Sequence, residues 1–192
     1  MHVSEYQDRH RRCVHWDLPD RGWEDVARHL DPFLATAIRE IAAEYAADPV
    51  EWLEINHWPD SGRLMLFPAH DGPYGNRKER VYFELSSDYL QNEFLRISDV
   101  VPDREQEREW QALGRKVWGR VGDCLHGGQA SRELAEARKV HGLRVSAFDY
   151  CFGEGLFHLS DLDEEAASAM RMELARCKRE QGPGGEDKNG RN

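Results

Sequence analysis

The 192-residue chain has no apolar run near 18 residues, and its first residues, MHVSEYQDRHRRCVHW, carry charge with no apolar stretch behind it. The first absence excludes a bilayer-spanning helix, which needs about 20 apolar residues, and the second a secretory leader, which needs an apolar core of roughly 7–15. An excess of positive charge is also missing: 36 acidic residues against 26 basic ones give a formal charge of −10. A field of that sign repels phosphate backbones and anionic lipid heads, so the sequence predicts no nucleic-acid partner, no membrane partner and a basic protein partner instead. The four cysteines, Cys13, Cys124, Cys151 and Cys177, are too scattered for the dense disulfide framework of a small secreted chain. Reduced thiols and a cytoplasmic location follow as expectations.

Nucleotide and nucleophile motifs are lacking too. No strand is followed by a glycine-rich phosphate loop, and no Gly-x-Ser-x-Gly elbow occurs. Gly127-Gly128 follows a helical stretch and reads as a helix stop. No cofactor is called for.

What is present is enough apolar bulk for a core. Apolar residues make up 40% of the chain and include six Trp, seven Phe and six Tyr, and a chain this long buries roughly two-thirds of its unfolded surface. Residues 20–30 place Trp23, Val26, Ala27 and Leu30 on one helical face. Asp31-Pro32 then reads as a cap and first turn of a second helix, which Asp48-Pro49 ends. Residues 50–58 and 63–67 flank the turn Pro-Asp-Ser-Gly as a hairpin, and residues 81–85 alternate as a third strand. Residues 104–125 form the longest helix, a shorter one runs from Ser131 to about His141, and a second hairpin surrounds Gly153-Glu154-Gly155, with a last helix after Asp163. Runs of neighbouring strands predict an α+β fold with a largely antiparallel sheet of about five strands, covered by helices on one face. The predicted organisation is an N-terminal arm over 1–19, a single domain over 20–180 and a disordered tail over 181–192.

Two Cys-x-His pairs, Cys13 with His15 and Cys124 with His126, are zinc ligands by type, but their spacing is wrong for a knuckle and no metal is predicted. The first hairpin is the more suggestive place. His57, Trp58 and Asp60 at its turn, with His70, Asp71 and Tyr74 in the following loop, assemble titratable and aromatic groups if the strands pair. Acid–base chemistry by His57 or His70, held by Asp60 or Asp71, is one reading; the plain one is that both aspartates are turn formers. Acidic residues also cluster at Asp99, Asp103, Glu105, Glu107 and Glu109, and at Glu154, Asp161, Asp163, Glu164 and Glu165. Both runs read as helix N-termini, where carboxylates oppose the dipole, but capping two helices does not require a net −10.

The order of elements resembles small acidic α+β immunity proteins that protect bacteria from polymorphic toxins. The resemblance lies in an N-terminal helix, the hairpin EWLEINHWPDSGRLMLF, the helix REWQALGRKVWGRVGDCL and the late hairpin RVSAFDYCFGEGLFHLSDLD, over roughly residues 31–165. It implies a compact, acidic inhibitor that plugs a basic toxin surface. The aromatic side chains and carboxylates around the hairpin turns, Trp58, Asp60, Asp71, Tyr74, Glu154, Asp161 and Asp163, are the candidate binding residues of such a cytoplasmic module. The alternative is a small hydrolase using His57, His70 and Asp71, and a third reading pairs the chain with another copy of itself.

Overall fold

The computed structural model describes residues 1–8, 11–18, 21–69 and 80–149. Within them an α+β fold is built on a six-stranded mixed sheet in the order β1-β2-β5-β4-β3-β6. The strands are β1 His2–Asp8, β2 Arg11–Leu18, β3 Trp52–Trp58, β4 Arg63–Ala69, β5 Val81–Ser87 and β6 Arg144–Asp149, and the helices are α1 Trp23–Glu44, α2 Asp88–Val100, α3 Asp103–Gly127 and α4 Gln129–His141.

The expected antiparallel sheet is corrected in two respects. β1/β2, β3/β4 and β4/β5 are antiparallel, but β2/β5 and β3/β6 are parallel, because each of those pairs is joined by a long helical crossover and not by a hairpin. Two of the six strands, β1 and β2, come from the segment expected to be a solvated N-terminal arm. Val14, Trp16 and Leu18 alternate onto the core face of β2, and that period of two draws residues 2–18 into the sheet.

Alternation along β2 to β6 separates two faces. One buries Val14, Trp16, Leu53, Ile55, Leu64, Leu66, Phe83, Leu85 and Val145 in a single cluster with the apolar stripes of all four helices. The other gathers Cys13, Phe67 and Tyr82, to which no described helix contributes.

The helix expected to start at Asp31-Pro32 does not start there. α1 runs unbroken through Pro32, because Val26, Leu30, Phe33, Leu34, Ala37, Ile38 and Ile41 form one continuous buried stripe that offsets the ~3 kcal/mol cost of an interior proline. Asp31 caps a different helix: its carboxylate accepts from the backbone N–H groups of Gln129 at 2.8 Å and Ala130 at 2.9 Å, the first residues of α4. Gly128 allows that approach, since a Cβ there would strike the Asp31 carboxylate. α4 stops at Gly142, whose φ of 64° is a left-handed cap.

Candidate functional site: an acidic helix elbow

The first hairpin forms as the sequence predicts, but its turn is a packed joint. Pro59–Ser61 make one 3-10 turn, Gly62 adopts a φ of 62°, and its carbonyl accepts from the Ser87 N–H at 2.9 Å. A Cβ on Gly62 would strike the Ser87 carbonyl and Gln91 at the start of α2, so the glycine serves this docking as well as the turn. Ser87 in turn caps α2, its Oγ accepting from Leu90 N at 3.1 Å.

The three described hairpin candidates point in different directions. His57 is fully buried on the helix-covered face, with its ring edge-on to Trp118 at 6.5 Å. Trp58 is half-buried and belongs to the opposite face, while Asp60 is exposed beside the first turn of α2. A buried imidazole there has no solvent-side route to a substrate, so the arrangement gives His57 a packing role. His70, Asp71, Tyr74, Glu154, Asp161 and Asp163 lie outside the described residues, as do the second hairpin, the last helix and the tail.

The two Cys-x-His pairs do not meet. Cys13 packs beside Phe67 and Tyr82 on one face of the sheet, whereas Cys124 belongs to the helix-side core, where burial pushes its thiol up to about 11. His15 instead turns to Glu84, whose carboxylate is only 3% exposed and lies 3.2 Å from His15 Nδ1 and 3.4 Å from Arg63 Nε. Ser86 donates to the same carboxylate oxygen at 3.5 Å. Since Glu84 is in β5, His15 in β2 and Arg63 in β4, this cluster ties three strands together across the face opposite the helices.

Sequence reasoning did not identify α2, although Leu90, Phe94 and Ile97 recur at helical spacing after the Ser87 cap. Its discovery changes the meaning of the first acidic cluster. Asp103 and Glu105 do occupy the first turn of α3, as expected of dipole-capping acids. Asp99 does not: it sits in the last turn of α2, where no basic residue is present. A carboxylate at that end costs about 0.3–1 kcal/mol through the helix dipole. No described cation pairs with it.

Around Asp99 the surface is both acidic and apolar. Asp88, Asn92, Leu95 and Asp99 follow one exposed stripe at spacings of four, three and four, with Val100 beside it. Leu95 is 45% exposed and Val100 72%. From 88 to 109 the chain holds seven acidic residues against three arginines.

This elbow is rigid. Gln106 of α3 reaches back so that its Nε2 donates to the carbonyls of Ser98 at 3.1 Å and Val101 at 3.0 Å, satisfying the open end of α2. Phe94 stacks on Trp110 with centroids 5.6 Å apart and planes 16° from parallel, which fixes the two helices against each other. At the other end of α2, the Lys116 ammonium lies over the rings of Trp23, 4.6 Å from the centroid, and Tyr89.

The fold and this surface define an α+β protein with an ordered acidic elbow as its candidate site. No family model matches the chain, and no curated protein or solved structure matches it either. No helix among the described residues is long and apolar enough to cross a membrane.

Proposed function

We propose that the chain is a protein-binding module whose α2–α3 elbow docks a basic partner, in the manner of an acidic inhibitor or immunity protein acting in the cytoplasm. The observation that carries this reading is Asp99, a carboxylate at the unfavourable end of α2 with no cation beside it among the described residues, set between the exposed Leu95 and Val100. Helix capping accounts for Asp88, Asp103 and Glu105 but not for Asp99. A basic partner supplies what is missing: a cation for Asp99 and apolar cover for the two side chains beside it. The surrounding acids steer such a partner into place. The elbow is held by Gln106 and by the Phe94–Trp110 stack, so little ordering entropy opposes docking.

The hydrolase reading draws less support, because its described histidine is buried beneath Trp118. The test is affinity capture from the native host with the whole chain as bait, beside an Asp88→Lys/Asp99→Lys bait. A basic protein retained by the first at low salt, released as salt rises and absent from the second is the expected result. Identical retention by both baits, or retention indifferent to salt, removes the elbow as the docking surface.

A further inference from the structure

The sheet ends at β1 with a strand whose outer backbone edge has no neighbour among the described residues. His2, Val3, Glu5, Tyr6 and Gln7 are all exposed and Ser4 is half-buried. The opposite end of the strand order contrasts with this, since Val145, Ser146 and Ala147 of β6 are buried.

An exposed edge is a template for strand addition, and folded chains ordinarily blunt it with proline, charged side chains or a bulge; short of its end at Asp8, β1 carries a single acidic charge, Glu5. HVSEYQD contains neither proline nor lysine, and its register with β2 runs from His2–Asp17 to Asp8–Arg11 without a bulge. It also presents apolar surface. Met1, Val3 and Tyr6 are 56%, 45% and 46% exposed.

Charge selects the occupant. Residues 1–18 hold three acids, Glu5, Asp8 and Asp17, against three arginines, Arg9, Arg11 and Arg12. A strongly basic strand therefore gains little here, and two copies meet without local repulsion; the remainder of the net −10 lies largely beyond the ~8 Å over which charges act at physiological salt. We infer that β1 is a self-association edge, at which two copies of this chain pair their first strands antiparallel into one continuous sheet.

Symmetry narrows the register. A two-fold axis normal to the sheet keeps each face on its own side, so it must pass through a residue position. Centred on Glu5, it sets that carboxylate directly against the partner's Glu5, a like-charge pair that is destabilising. Centred on Ser4, it sets Val3 opposite the partner's Glu5 and His2 opposite the partner's Tyr6, and uses residues 1–7 in full. So short an edge buries less than the ~1,200 Å² of a standard interface, which places the pairing among weak, transient ones.

Sedimentation of the whole chain over about 5–500 µM tests this, with a monomer–dimer equilibrium expected that is little changed by salt. Val3→Lys/Tyr6→Lys is expected to weaken the dimer at least about ten-fold, with the far-ultraviolet spectrum unchanged. In case that variant fails to fold, Ser4→Cys supplies a second readout. Opposite residues across an antiparallel pair lie about 4.5–5.5 Å apart, within disulfide reach, so this variant should cross-link under mild oxidation beyond the wild-type chain and beyond Asn92→Cys on α2. A chain monomeric throughout the range, a dimer that survives in the lysine variant, or cross-linking no greater than in the two controls overturns the proposal.

Discussion

Among the described residues, five of the six exposed large apolar side chains gather in two places: Met1, Val3 and Tyr6 along β1, and Leu95 and Val100 on α2. Their surroundings are opposite. The β1 region is charge-balanced and offers a row of backbone groups, whereas the α2–α3 region has seven acids to three arginines and offers helices whose backbone is already satisfied. Exposed apolar area says only that something covers a surface. The electrical and hydrogen-bonding character around it is what distinguishes the two proposals, a second copy at one place and a basic partner at the other.

The largest expected effect on this contrast comes from Glu84, whose buried carboxylate holds β2, and with it β1, to the sheet. Glu84→Ala removes the carboxylate that His15 and Arg63 approach to 3.2 and 3.4 Å. Because both partners are partly exposed and regain water, the expected loss is about 2 kcal/mol of stability in denaturant titration, with amide protection falling first along β1 and β2. Uniform loss over the whole chain would show instead that β1 and β2 do not open apart from the rest of the sheet.

Gln106→Ala acts on the other region. It frees the Ser98 and Val101 carbonyls, and the expected cost is about 1 kcal/mol, seen as faster amide exchange in the last turn of α2. Dimerisation through β1 should be unaffected. A smaller effect is expected from alkaline pH. Tyr82 is raised above the ordinary value of 10.0 by burial, and Tyr6, with its hydroxyl 3.4 Å from that of Tyr82, is raised chiefly by a hydrogen bond with Cys13. Both fold with the neutral phenol favoured, so their contribution is full below the unfolded value and is lost as pH rises above 10. The β1–β2 hairpin should then loosen before the α2–α3 elbow, as amide exchange at stepped pH would show.

Much of the fold was readable from periodicity. Ala37, Ile38 and Ile41 mark α1, Leu113, Val117 and Val121 mark α3, and the Pro-Asp-Ser-Gly turn marks the β3–β4 hairpin. The failures have physical causes. Asp31-Pro32 carries the local signature of a helix start, but packing of the α1 stripe overrode it and Asp31 was used across space at α4, 98 residues away. β1 was missed because an exposed edge strand has little apolar alternation to show. Parallel pairing was missed because it depends on crossovers between strands far apart in sequence. The candidate site was less legible still: Asp99, Asp103 and Glu105 look alike along the chain, and only the end of α2 at Val100 separates Asp99 from acids that a helix start explains.

The central claim is that Asp99 and the stripe around it receive a basic partner. The most direct measurement is the association rate of the captured partner with the whole chain, followed from low to high salt for the wild type and for Asp88→Lys/Asp99→Lys. A steep fall with salt for the wild type, and a rate at least about ten-fold lower and nearly flat for the variant, is the predicted result. Equal rates with equal salt dependence would contradict it.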